Sequence, residues 1–243
     1  GMSIITKEIA YSADGADMIG TLCVDDAVSG KRPGVLVCHE GPGLNDHAKR
    51  SARRLAEIGY IAFAMDYHGG GKPLDDLSKT MAVLGPWMQD PTGIRLRATA
   101  ALEVLKSQPQ TDTSRLAAIG YCFGGTTALE LARMGTDLRG VVGFHSGLGT
   151  GKPAQKGAVK AKVLVQIGRD DPIIPPEQRI AFESEMTDAG ADWEMIVYGN
   201  AGHSFTNPDV NAMGRPGFVY DRSADERSWR AMVDFFGETL GRI

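Results

Sequence analysis

Ala117-Ala118-Ile119-Gly120-Tyr121-Cys122-Phe123-Gly124-Gly125 is the stretch that decides the fold, with Thr126-Thr127-Ala128-Leu129-Glu130-Leu131-Ala132-Arg133 directly after it. A short apolar run ends at a glycine, one reactive residue follows, two more glycines come next, and a good helix former begins. The order reads strand, sharp turn, helix. It matches the Gly-x-nucleophile-x-Gly elbow, with Cys122 at the apex. Such a turn brings the flanking backbones close together, so a side chain at Gly120 or Gly124 would clash. The thiol is thereby pushed out at the top of a sheet and onto a helix N-terminus, whose partial positive charge favours a thiolate and any oxyanion formed beside it.

Outward from the elbow, strands and helices alternate. Residues 4–11 and 18–24 alternate loosely around Ser12-Ala13-Asp14-Gly15 and predict an antiparallel hairpin at a sheet edge, with Cys23 in the core. Residues 33–39 form a continuous apolar run, as expected of a strand buried on both faces, and end in Glu40-Gly41-Pro42-Gly43-Leu44-Asn45-Asp46. Asp46 is expected to cap a helix over 47–58 that Gly59 stops; its Lys49, Arg50, Arg53 and Arg54 read as a solvated face. After a strand over 60–65, residues 68–90 predict a long irregular lid or substrate loop. A helix over 91–106, strands over 139–145, 162–168 and 193–198, and helices over 176–189 and 224–240 complete the pattern. The expectation is a single α/β domain over 2–243, with a mostly parallel sheet covered by helices on both faces. Gly1 ahead of Met2 reads as an expression remnant and is set aside.

Composition narrows the partners. With 26 Lys and Arg against 30 Asp and Glu, the net charge is −4, and the basic residues show no cluster of the kind that binds nucleic acid or an anionic membrane surface. No apolar run approaches a bilayer span, and no signal-type segment opens the chain. Cys23, Cys38 and Cys122 stand at scattered spacings that make neither a disulfide framework nor a zinc site, so a reduced, cytoplasmic setting is expected. Gly71-Lys72 lacks the other residues of a phosphate loop, and His39-Glu40 lacks the second histidine of a zinc-protease helix. The expected partner is a small molecule, with neither metal nor cofactor, acting on a monomer or weak homo-oligomer.

Cys122, Asp171 and His203 fall at three strand ends, in the chain order nucleophile, acid, histidine of the α/β-hydrolases. Such chemistry needs a base within reach of the nucleophile and a carboxylate to hold the imidazole in one tautomer. Of the adjacent Asp170 and Asp171 only one can face His203. Asp171 is the better placed, and Asp170 is expected to cap the loop. Cys38 reads as core, and His39, His47, His68 and His145 as structural or surface residues. The rival from another class is a ligand-binding or redox-sensing protein with a reactive Cys122. A sensor, however, needs neither Asp171 nor His203. The same fold acting on a peptide or a carbon-carbon bond is the nearest enzymatic alternative.

At His39-Glu40-x-x-Gly43-Leu44-Asn45, Gly120-Tyr121-Cys122-x-Gly124-Gly125, Asp171-x-x-x-Pro175 and His203-Ser204-Phe205, the sequence resembles the dienelactone hydrolase family, the cysteine-using branch of the α/β-hydrolases. The resemblance implies an α/β-hydrolase fold with an eight-stranded sheet, no cofactor, and attack on an ester, lactone or thioester carbonyl through an acyl-cysteine. It implies that Glu40 contacts the resting thiol and takes part in its activation, and that the backbone N–H groups of Gly41 and Phe123 form the oxyanion hole. Tyr67, Trp87 and Asn207 are the expected pocket residues. Dienelactone-cleaving members carry an arginine four residues after the catalytic histidine and a second in the lid. Those places fall on Asn207 and on Thr80, the latter with Lys79 beside it. Neither Asn nor Thr replaces an arginine fork on a carboxylate, so the machinery is expected with an altered specificity.

Overall fold

The structure is a computed structural model that describes residues 2–242, and Gly1, set aside above, lies outside them. Its eight strands form one sheet in the order β1-β2-β4-β3-β5-β6-β7-β8. β1 (Ile4–Ala13) and β2 (Ala16–Asp25) make the antiparallel hairpin. Asp14 and Gly15 form its two-residue turn with φ of 51° and 73°, the positive values that match the twist of the flanking strands. β2 runs antiparallel to β4 (Ile61–Ala64). The pairings beyond it, among β3 (Arg32–Cys38), β4, β5 (Thr111–Tyr121), β6 (Gly140–Phe144), β7 (Lys162–Gly168) and β8 (Trp193–Tyr198), are parallel. This is the α/β-hydrolase arrangement.

The alternation of side chains along the central strands divides the core in two. Leu36, Cys38, Leu116 and Ala118 face one side, against α3 (Thr92–Lys106), α4 (Phe123–Arg133) and α5 (Pro176–Asp188). Val35, Val37, Ala117 and Ile119 face the other, against α1 (Asp46–Glu57) and α6 (Arg222–Thr239). Strands buried on both faces explain the unbroken apolar runs in the sequence. α4 is buried along its whole length, including Arg133, whose guanidinium is held by Glu130 at 2.8 Å and Glu185 at 2.9 Å.

Two local expectations are corrected. Residues 68–90 are not irregular throughout, because Leu77–Gln89 forms a helix, α2, capped by the Asp76 side chain on the amides of Ser78 and Lys79. Gly85 and Pro86 lie inside it and mask it from a propensity reading. The cap of α1 is Asn45, whose side-chain oxygen accepts from the Ala48 amide at 3.0 Å, while Asp46 is the first helical residue. A 3-10 turn spans Val210–Met213, in a stretch with no helical periodicity.

The elbow forms for the reason the glycines suggest. A Cβ on Gly120 would overlap the Gly124 carbonyl group, and one on Gly124 would overlap the carbonyl oxygens of Cys38 and His39. Backbone stands in the way in both cases, so no side chain can swing aside. Gly120→Ala is therefore expected to destabilise the chain by about 3 kcal/mol. Gly85→Ala, whose new methyl meets nothing within 4 Å, is expected to stabilise it by roughly 0.5–1 kcal/mol. Urea denaturation of both variants checks the pair; equal, small shifts would contradict the steric account.

Candidate active site

The loops at the C-terminal ends of β3, β5, β7 and β8 meet on one rim, where ligands bind to open α/β sheets. Cys122 follows β5 directly, with φ 55° and ψ −124°, and serves as the N-cap of α4. Its amide donates to the Phe144 carbonyl at 3.0 Å, and its carbonyl accepts from the amides of Gly125 and Thr126, which holds the unusual backbone in place. Cys23 and Cys38 are buried, whereas Cys122 is partly exposed. Burial pushes both the Cys23 and the Cys38 thiol up, as suits inert core residues.

His203 lies on the β8 exit loop, its amide donating to the Gly217 carbonyl at 2.7 Å and its ring packed edge-on against Phe218. Nε2 of His203 is 3.1 Å from the Cys122 sulfur, and Nδ1 is 2.7 Å from Oδ2 of Asp171. The other oxygen of Asp171 accepts from the Ile173 amide at 2.8 Å, so Asp171 caps its own loop while facing the histidine. Asp170, expected to be the capping residue, instead points outward and pairs with Arg169 at 3.1 Å. Burial works against a charge on His203, yet Cys122 and the Asp171 carboxylate together push its pKa up to about 10. The geometry thus favours the protonated form of His203.

A cavity of about 170 Å³ opens beside these groups. Its lining includes Cys122, His203, Glu40 and Gly41, with apolar walls from Leu77, Met81 and Leu84 of α2 and from Ile173, Met213 and Phe218. The N–H groups of Gly41 and Phe123 donate to no protein acceptor among the described residues. A larger surface groove between β8 and α6, lined by Lys162, Trp193 and Glu238, contains none of the residues just named.

Glu40 is buried, and both of its oxygens are engaged. Oε2 accepts from the Ser204 hydroxyl at 3.0 Å, and Oε1 from the side-chain amides of Asn207 at 2.8 Å and Asn45 at 3.2 Å. The thiol's hydrogen-bond partner is His203 rather than Glu40, which differs from the resting contact expected from the resemblance. Asn207 and Thr80 line the cavity, while Lys79 points outward to Asp75 at 3.0 Å. Tyr67 and Trp87 do not line it. Tyr67 is fully buried because its hydroxyl finds the carbonyls of His39 and Glu40 at 2.9 and 3.0 Å, and Trp87 stacks on Phe123 and His68. Arg215 is a lining residue that sequence reasoning missed; it stands beyond the 3-10 turn, its guanidinium 4.1 Å over the Phe218 ring. No helix among the described residues is long and apolar enough to cross a membrane, and no group of His, Cys, Asp and Glu among them is arranged to hold a metal ion.

Comparison with known proteins bears on this geometry. A dienelactone hydrolase-like promiscuous phosphotriesterase from metagenomic libraries superposes with a TM-score of 0.93 at 41% identity, covering 99% of this chain and 100% of its own. A Yersinia pestis protein named "Putative carboxymethylenebutenolidase" is 29% identical over 241 residues, 94% of this chain and 86% of its own. An α/β-hydrolase enzyme from a deep-sea metagenome library shares the fold, with a TM-score of 0.73 at 18% identity over 99% of both chains. The family model of the dienelactone hydrolases matches residues 19–240, almost the whole length, and the chain belongs to the dienelactone hydrolase family.

Proposed function

We propose that this protein is a cysteine hydrolase of short carboxylic esters, lactones or thioesters, working through an acyl-cysteine with Cys122, His203 and Asp171 as its triad. The observation that carries the reading is the unbroken line from the Cys122 sulfur through Nε2 and Nδ1 of His203 to Oδ2 of Asp171, with contacts of 3.1 and 2.7 Å. Membership of a family whose relatives are named for cleaving a lactone supports the reaction class.

The chemistry follows from the charges. With the proton on His203, the sulfur attacks as a thiolate: a carbon-sulfur bond forms and the carbonyl π pair moves onto oxygen. The amides of Gly41 and Phe123 receive that oxyanion. The imidazolium then gives its proton to the departing alkoxide as the carbonyl re-forms. Neutral His203, held in one tautomer by Asp171, next takes a proton from water attacking the thioester and keeps it as the carbon-sulfur bond breaks, which releases the carboxylic acid and restores the thiolate beside the imidazolium. Glu40 acts from the cavity wall, where its fixed negative charge tunes the thiol. The apolar walls suit a short alkyl or aryl group. The 41% identical relative is named a phosphotriesterase, so a neutral phosphotriester, whose phosphoryl oxygen would occupy the carbonyl oxygen's place, is a second substrate class to test.

Cys122→Ala is expected to lower turnover of an aryl acetate by at least about 1000-fold and to abolish the acyl adduct seen by intact mass in the native chain. An unchanged rate would sink the proposal, and rapid peroxide oxidation with no ester turnover would favour the sensor reading. A second expectation concerns pH. The pKa of His203 is raised from 6.5 to about 10, so the stability its charge contributes is fully present below pH 6.5 and drains away as pH rises towards 10. His203→Gln removes this titration. Chemical denaturation at pH 7 and pH 10 should show a smaller loss in the variant than in the native chain, and parallel losses would contradict the ion-pair account.

A further inference from the structure

The segment leaving β3 carries an arrangement that a triad by itself does not call for. Three donors converge on the carbonyl oxygen of Glu40: Nδ1 of His39 at 2.6 Å, the Gly43 amide at 3.2 Å, and the Tyr67 hydroxyl at 3.0 Å, whose single proton is shared with the His39 carbonyl. A carbonyl has two lone pairs, so this oxygen is saturated. The same Tyr67 hydroxyl reaches the His39 carbonyl at 2.9 Å, and Nε2 of His68 donates to the Gly41 carbonyl at 2.6 Å. Three consecutive carbonyls are thus held by side chains. At the other end of the saturated peptide unit, the Gly41 N–H has no acceptor among the described residues, and Gly41 lines the cavity that holds Cys122.

The two ends of that unit are mechanically and electronically linked. The peptide is planar, so fixing the direction of its oxygen fixes the direction of its N–H. Donors into the carbonyl also polarise the amide, which makes its N–H a stronger donor. The network dictates the proton positions as well. The Tyr67 amide can only donate, so Nε2 of His39, 3.2 Å away, accepts, and the ring proton sits on Nδ1, facing Glu40. Burial pushes the pKa of His39 down to about 3, so the ring stays neutral and keeps this tautomer at neutral pH. Tyr67 is anchored in turn: its ring lies 3.6 Å from that of His39, and Arg97 donates to its carbonyl at 2.7 Å. The neighbouring Asp66 carboxylate accepts from the amides of Ile19, His68, Gly69 and Gly71.

We propose that His39 and Tyr67 are positioning residues of the oxyanion hole, clamping the Glu40–Gly41 peptide by its oxygen so that the Gly41 N–H is presented, polarised, to the substrate. The inference rests on the proposed role of Gly41. It assigns function to two side chains that touch neither substrate nor nucleophile, and it explains why an aromatic hydroxyl is buried against carbonyls.

The test separates oxyanion stabilisation from nucleophile reactivity. Tyr67→Phe deletes one oxygen and keeps the ring, while His39→Asn keeps a donor in the place of Nδ1 and His39→Leu removes it. Each variant is assayed for kcat and KM on an aryl acetate, for inhibition by a trifluoromethyl ketone, whose adduct with the thiolate carries an oxyanion, and for alkylation of Cys122 by iodoacetamide. That last reaction joins sulfur to carbon and expels iodide, and it builds no oxyanion. Loss of a whole oxyanion donor costs about 100- to 1000-fold, and a loosened one part of that. Tyr67→Phe is expected to lower kcat about 10-fold and weaken the ketone by a similar factor, with KM and the alkylation rate within about twofold of native. His39→Asn should retain more activity than His39→Leu. A Tyr67→Phe enzyme with native kcat, or one whose alkylation falls in parallel with kcat, would overturn the clamp. A native chain with no Cys122-dependent turnover would instead overturn the hydrolase reading beneath it.

Discussion

The contact on which the rest of this structure depends is backbone against backbone at the elbow. Gly120 sits against the Gly124 carbonyl group, and Gly124 sits against the carbonyls of Cys38 and His39. Neither approach leaves room for a Cβ. One consequence is local: the chain can reverse between β5 and α4 with Cys122 at φ 55°, its sulfur facing the rim. The other is long-range. Because the start of α4 is pressed onto the end of β3, the loop carrying Gly41 comes up beside the elbow, where Phe123 directly follows Cys122. A single steric requirement therefore sets the nucleophile and brings both proposed oxyanion donors to it, before any hydrogen bond is counted. Rigid strand ends supply the precision that the proposed chemistry needs.

What was legible in the sequence follows the same division. Strands buried on both faces leave continuous apolar runs, so residues 162–168 read directly as β7, while the half-exposed edge strand β8 was legible at 193–198 from its β-branched and aromatic residues. The elbow and the order Cys122, Asp171, His203 were legible because each stands at a strand end with glycine or turn residues beside it. α2 was hidden by Gly85 and Pro86, although Asp76 ahead of it is a good cap. The cavity walls were less legible still. Met213, Arg215 and Phe218 come from a segment without periodicity, tied back by the bond from the His203 amide to the Gly217 carbonyl. Tyr67 and Trp87 looked like pocket aromatics because they belong to the excursion after β4. Nothing in the residues themselves shows that the hydroxyl of one finds carbonyl acceptors beneath the site and that the other packs beside it.

Charge within the site is arranged in two separate groups. The thiol, His203 and Asp171 form one line of hydrogen bonds, and the two groups flanking the imidazole push its pKa up against the effect of burial. Glu40 stands outside that line, and its partners Asn45, Asn207 and Ser204 are all neutral donors. Donors of this kind satisfy a carboxylate's oxygens without bringing an opposite charge to it. The inner wall of the cavity next to the proposed nucleophile therefore carries a carboxylate met only by neutral donors.

That charge gives the departures at positions 207 and 80 a consequence for specificity. An arginine at 207 would bring a cation to the place from which Asn207 donates to Glu40, offsetting its charge and offering a fork to a substrate carboxylate. Asn207 does neither, and Thr80 spends its hydroxyl on the Asp76 carbonyl at 3.1 Å. Among the described lining residues the one arginine or lysine is Arg215, exposed and stacked on Phe218. A substrate carrying a carboxylate next to its reacting carbonyl would meet Glu40 in an apolar pocket where like charges repel strongly. A neutral ester meets no such cost and gains from burying its apolar groups against Leu77, Met81 and Ile173. Asn207 in the place of that arginine thus leaves a carboxylate without a fork and beside Glu40, which favours the neutral, short, apolar acyl donors of the proposed function.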